Sequence, residues 1–273
     1  MHVGLSAGLS VGLACGVGAD DGAAPTGLGY TVDASSAKAT PVSAAEWATF
    51  IAAKSLTIST PNYLHLCQEA SGNMTDTIGG LTLTANGSPA YQQAVSGWTR
   101  TGVKGDGVTA NQRFRSASAP NPSTTSMALF AFVSRGTQTA SVQSVMGVGA
   151  IADTTVSAYL NGAPVVGRIR YRESANITDT GTGTDYQARV TPILLLIDHT
   201  GTRARLYTDV EKLSPTYGLP SAVTAYCLGA DSGTWTPSTI LYSCGWTGAA
   251  AEAITDAQAK ALFEGLGYTI PWI

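Results

Sequence analysis

Two overlapping G-x-S-x-G segments, Gly4–Gly8 and Gly8–Gly12, stand near the start of the chain, inside VGLSAGLSVGLACGVG at residues 3–18. In a nucleophile elbow this pattern holds a serine on a sharp turn between a strand and a helix. Here the first such serine is Ser6, with too few residues before it for a strand, and no His and Asp follow in that fold's order. Ser6 and Ser10 are therefore not read as nucleophiles. The histidines His2, His65 and His199 lie far apart, and none stands in H-E-x-x-H or at ligand spacing from a cysteine. A Ser-His-Asp set built on Asp198 and His199 fails because adjacent strand residues point to opposite faces. The acids in or beside clear strands are Glu173, Asp198 and Asp209. None forms E-x-D-x-x-E, so the paired carboxylates of glycoside hydrolysis are not apparent. Asp198 and Asp209 flank a hairpin and read as turn formers. The expectation is a chain that is not an enzyme. The cysteines Cys15, Cys67, Cys227 and Cys244 form no C-x-x-C, which excludes a zinc motif. Free thiols and a bridge among Cys67, Cys227 and Cys244 both stay open.

The opening stretch is also tested as a targeting segment. A secretory signal needs a cationic start and an unbroken apolar run, but no Lys or Arg precedes Lys38 and glycine recurs at Gly4, Gly8, Gly12 and Gly16. The run is shorter than the ~20 apolar residues of a membrane span. Glycine at this density disfavours a helix in water. What remains is an extended arm able to lie in a groove of another subunit through main-chain hydrogen bonds, or a disordered tail; both readings stay open.

The elements that would position a site follow from composition and patterning. The chain has 273 residues, 44% hydrophobic and only 12% charged, with net charge -3. Charged residues usually make up ~25%; the deficit is filled by Gly, Ser, Thr and Ala, as suits a turn-rich β protein. No basic block appears, which excludes a nucleic-acid partner. Residues 19–41 read as linker. A short helix follows, with Ser43 and Glu46 as a capping box and Trp47, Phe50 and Ile51 on one face, ending near Lys54. Strands are expected at 63–67, 81–86, 126–134, 141–149, 156–160, 167–173, 192–200, 203–209, 225–230 and 240–246. Those at 126–134 and 192–200 are apolar on both faces, as in a strand buried between two layers. A last helix is capped by Thr255 and Gln258, carries Ala259, Leu262, Phe263 and Leu266, and stops at Gly267.

Three segments resemble the concanavalin A-like jelly roll in its laminin G-like form: ILLLIDHTGTRARLYTDVEKLSPTY (193–217), YCLGADSG (226–233) and WTGAAAEAITDAQAKALFEGLG (246–267). Residues 66–100, with the Gly-Leu-Ser repeats before them, resemble bacteriophage structural proteins. The resemblance implies an all-β, antiparallel two-sheet sandwich, with a Gly-rich arm at 1–28, a linker and short helix at 29–59 and the jelly roll at 60–273. It implies a bacteriophage virion component (decoration, fibre or spike) that adheres to host glycans. Its partners would be other virion proteins or copies of itself, a trimer being favoured. The alternatives are a secreted or surface bacterial lectin-like module and, last, a carbohydrate-active enzyme. In the loop 230–238, Trp235 with Asp231 and Ser232 is the candidate ligand site; Gly4, Gly8, Gly12 and Gly16 form the candidate assembly arm. No cofactor is expected, calcium excepted, for which Asp76, Asp106, Asp153 and Asp231 are the candidate oxygen ligands.

Overall fold

The computed structural model describes residues 27–106, 112–117, 126–135, 143–148, 156–160, 169–173, 176–179, 189–214, 225–229, 234–235 and 238–272. In chain order the strands are β1 (Tyr63–His65), β2 (Leu83–Asn86), β3 (Ala90–Ala94), β4 (Thr101–Lys104), β5 (Arg113–Ser116), β6 (Met127–Arg135), β7 (Gln143–Val148) and β8 (Val156–Leu160). They continue as β9 (Ile169–Glu173), β10 (Asn176–Asp179), β11 (Val190–Asp198), β12 (Arg203–Thr208), β13 (Lys212–Leu213), β14 (Tyr226–Gly229), β15 (Thr234–Trp235) and β16 (Ser238–Thr247). The helices are α1 (Ala44–Ala53), α2 (Ala249–Glu252) and α3 (Asp256–Gly265).

One sheet runs β13-β12-β11-β6-β16-β4-β3 with β1 also on β16; the other runs β10-β9-β8-β7-β14-β5-β2 with β15 on β7. From β4 to β7 the chain changes sheet at every step, so sequence neighbours face each other across the core. Pairing is antiparallel in both sheets, except for the two-residue parallel contact of β15 with β7. The chain is thus an all-β, jelly-roll-like sandwich of two antiparallel sheets carrying a few short helices.

The doubly apolar strands lie at the centre of the first sheet, where both faces are covered. Leu129, Ala131, Ile193 and Leu195 meet Phe114, Met146, Tyr226 and Leu228 of the second sheet. On the opposite face, Phe130, Phe132, Leu194 and Leu196 meet Trp47 and Phe50 of α1 and Leu262 and Phe263 of α3. Three layers result: helices, first sheet, second sheet. Burying each of these large apolar side chains contributes about 1.5–3 kcal/mol, so α1 and α3 are held by tertiary packing.

Helix α3 has the expected capping box: the Thr255 hydroxyl accepts from Gln258 N at 3.3 Å and Gln258 Oε1 accepts from Thr255 N at 2.8 Å. Helix α1 has only half of one. Ser43 Oγ accepts from Glu46 N at 3.2 Å, but Glu46 Oε2 takes the backbone N–H groups of Thr31 and Val42, at 2.7 and 3.1 Å. The glutamate ties the preceding segment to the helix and leaves its own cap singly closed.

Candidate functional site

Strands β2 and β5 alternate inward and outward. Leu83 and Phe114 are fully buried between the sheets. Their neighbours Thr84, Asn86, Arg113 and Arg115 therefore share the outer face; Thr84 stands opposite Arg115 and Asn86 opposite Arg113. Among the described residues, no helix lies on that face. A cleft of about 250 Å³ opens there, lined by Thr84, Ala85, Asn86, Arg113, Arg115, Ser116 and Ala117.

Several contacts fix the cleft. Phe114 packs edge-on against Tyr91 at 5.7 Å, and Ser116 Oγ accepts from Tyr226 N at 2.9 Å. The turn after β2 passes through Gly87 at φ +70°, where a Cβ would sit 3.0 Å from the Gln112 backbone, so only glycine suits it. Gln112 then donates to the Ser88 carbonyl at 3.2 Å and accepts from Asp106 N at 2.8 Å, joining that turn to the approach to β5. The outer edge of β2 is partly closed by Asn73, whose Oδ1 accepts from Ala85 N at 3.1 Å.

The ladder carries this face across the sheet. Arg115 is followed along the ladder by Cys227 and Gly147, both buried, so the open part of this face is its β2–β5 end. Hydroxyl, amide and guanidinium groups on an open strand pair are suited to hydroxyl-rich ligands, and guanidinium to carboxylate.

The residues singled out from sequence are distributed differently. Trp235 lies on β15 in parallel register with Ser144. Asp231, Ser232, Gly4, Gly8, Gly12 and Gly16 lie outside the described residues, as do Asp153 and Cys15. Asp76 is committed to the fold: its carboxylate accepts the N–H groups of Leu64, Ile78, Gly79 and Leu81 at 2.8–3.0 Å. That leaves it poorly placed to hold a cation. Asp106 accepts from Gln112 Nε2 at 3.3 Å. Among the described residues, no group of three or more His, Cys, Asp or Glu is placed to hold a metal ion, and no helix is long and apolar enough to cross a membrane.

Asp198 accepts from Gly201 N at 2.7 Å and Arg203 Nε at 2.6 Å, a turn former as expected. Asp209 pairs with Arg189. His65 is fully buried, stacked on Tyr226 at 5.5 Å, with Nε2 2.8 Å from the Leu81 carbonyl oxygen. Burial pushes its pKa down, against the pull of Asp76 and Glu69. Cys67 and Cys244 are buried free thiols, and burial holds both well above the ordinary thiol range. The sequence offers only a partial signal for the β2–β5 cleft: RFRS alternates, with apolar Phe114 between two arginines, but its pairing with β2 is not written in it.

No protein-family model matches the chain, and no curated protein does. Solved structures do. A Trypanosoma rangeli sialidase in complex with sialic acid is similar at TM-score 0.53 and 10% identity, over 74% of this chain and 32% of that one. A botulinum neurotoxin serotype D binding domain is similar at TM-score 0.52 and 7% identity, over 75% of this chain and 50% of that one. The chain therefore spans a third to a half of the chains it resembles, and what it shares with them is the sandwich. These matches correct one expectation. The chain was read as not an enzyme from its sparse acids, yet its fold is one that sialidase chains carry, so that exclusion does not stand.

Proposed function

We propose that the chain is a carbohydrate-binding β-sandwich module and that its glycan lies on the outer face of β2 and β5, in the cleft that they form. The carrying observation is the cleft itself: Thr84, Asn86, Arg113 and Arg115 set side by side on a strand surface with no helix over it among the described residues. Support also comes from the fold, which recurs in a chain solved with sialic acid and in a toxin binding domain. A glycan array probed with the wild-type chain and with Asn86→Ala tests this. Binding to a defined glycan class, weakened at least tenfold by the substitution, is the expected result. Equal binding by both chains overturns the placement, and binding to no glycan overturns the function.

We further propose that the module is displayed on a bacteriophage particle as an oligomer assembled through residues 1–28. Its support is the low charge content and the Gly4, Gly8, Gly12 and Gly16 spacing, with the resemblance of residues 66–100 to phage structural proteins. Light scattering on the full chain and on a chain lacking residues 1–28 tests it. A trimer or larger species that falls to monomer is expected, and a monomer in both cases contradicts self-assembly.

A further inference from the structure

His65, at the end of β1, stands fully buried with its ring stacked on Tyr226 of the second sheet at 5.5 Å. Its Nε2 lies 2.8 Å from the Leu81 carbonyl oxygen. That oxygen only accepts, so Nε2 carries the proton and Nδ1 is the bare nitrogen of the neutral ring. Nδ1 is buried and has no partner among the described residues. A proton added there creates a charged donor with no acceptor, which weakens the closed state.

The groups around the ring are engaged elsewhere. The Tyr226 hydroxyl is bonded to Ser243, the β16 residue in register with His65, and Ser243 Oγ donates to the Phe130 carbonyl at 2.9 Å. Tyr63 packs beside Tyr226 at 6.1 Å, its phenol pushed up to about 12 by burial. Cys67 Sγ donates to the His65 carbonyl at 3.6 Å. The Asp76 carboxylate accepts four backbone N–H groups. Glu69 Oε1 accepts from Thr75 N at 3.0 Å, and Glu69 Oε2 is buried without a partner. Burial outweighs the pull of Asp76 and Glu69 and holds the His65 pKa below 6.5.

The bond to Leu81 joins the two ends of a long connection. Residues 66–82 carry the chain from β1 of the first sheet to β2 of the second, and Cys67 and Met74 from this stretch are buried in the core between the sheets. Strand β1 has three residues and pairs only with β16, whereas β6, β11 and β16 run for nine or ten. Few ladder bonds hold the β1 end, so it opens at lower cost than the central strands.

We propose that His65 is an acid-released latch: protonation at Nδ1 frees the 66–82 connection and uncovers Cys67 while the central strands stay paired. The latch does not depend on glycan binding at the β2–β5 cleft. Glu69 Oε2 swinging onto Nδ1 would instead keep the connection closed in acid.

The test labels the full chain with methyl methanethiosulfonate between about pH 7.5 and about pH 5, above the ordinary carboxylate range near 4. Peptide mapping gives the labelling rate of each cysteine, divided into the rate for the urea-unfolded chain in the same buffer. This protection should fall about tenfold per pH unit below 6.5 at Cys67. Cys244, on β16, should stay at least tenfold better protected than Cys67 throughout. The variant His65→Gln, whose amide can still donate to Leu81, should remove the pH dependence at Cys67. Equal protection of Cys67 and Cys244 at every pH means that only global unfolding exposes them, and overturns the latch. Protection at Cys67 that does not fall in acid overturns it as well, and so does a slope that persists in His65→Gln. If that variant does not fold, the comparison of Cys67 with Cys244 in the wild-type chain decides alone.

Discussion

The indole Nε1 of Trp47 donates to the hydroxyl of Tyr242 at 2.8 Å, and that hydroxyl donates in turn to the Pro41 carbonyl at 2.7 Å. One chain of bonds thus joins α1, the central strand β16 and the segment before the helix. Trp47 also packs edge-on against Trp246 at 5.8 Å and Phe50 at 5.4 Å. Trp47→Ala empties the junction of two layers and should cost about 3–5 kcal/mol. Tyr242→Phe keeps the ring but strands a buried N–H and a carbonyl, for about 1–3 kcal/mol. Urea denaturation checks both; equal losses would mean that the hydrogen bonds, not the packing, hold the helical layer.

Acid should weaken the fold through its histidines. His65 and His199 both have pKa values lowered first by burial, with acids opposing: Asp76 and Glu69 at His65, Asp198 at His199. Below the ordinary value of 6.5 the unfolded imidazole takes a proton that the folded one resists. Stability is therefore greatest above 6.5 and falls as pH drops through that value toward the folded pKa. Urea midpoints between about pH 7.5 and about pH 5.5 should decline. His65→Gln should flatten part of that slope, and an unchanged slope would exclude His65 as a source.

The thiols of Cys67 and Cys244 should be inert in the native state. Both are fully buried and held in the protonated form, and the thiolate is the reactive species. Iodoacetamide followed by peptide mapping should leave both unmodified in buffer and label both in urea. Native labelling of either would mean that its layer opens readily.

Truncation separates the start of the chain from the fold. Tyr30 is buried against Phe50 at 5.2 Å, ring edge to face, and Asp33, Ala39 and Thr40 are buried as well. Removing residues 1–28 should leave the urea midpoint nearly unchanged. Removing 1–41 also takes the Pro41 acceptor, and should cost more than about 3 kcal/mol. A large loss from the shorter deletion would place residues 1–28 in the core.

The parts of this fold that were legible in sequence are those decided by local chemistry. The Thr255–Gln258 box and the Ala259, Leu262, Phe263 stripe gave α3, and the unbroken apolar runs of β6 and β11 gave strands covered on both sides. The half-box at Ser43 was misread because Glu46 is claimed from fifteen residues upstream, by Thr31 N. Strands β4 and β5 were missed because TGVK and RFRS are short and carry Gly or Arg, which do not mark a strand alone. The cleft depends on which strands pair, and register is not written in either strand by itself. Arg100, 8% exposed at the approach to β4, is beyond reach for a different reason: arginine is almost always exposed, and this one is covered by Tyr242 of β16 and the segment around Asp33, far away in sequence.

Hydrogen exchange of the chain with and without its best array glycan tests the placement of that ligand most directly. Protection confined to residues 83–86 and 113–117 is the expected result, since the glycan is assigned to the β2–β5 cleft. Protection centred instead on 230–238, around Trp235, with none on β2 and β5, would contradict it.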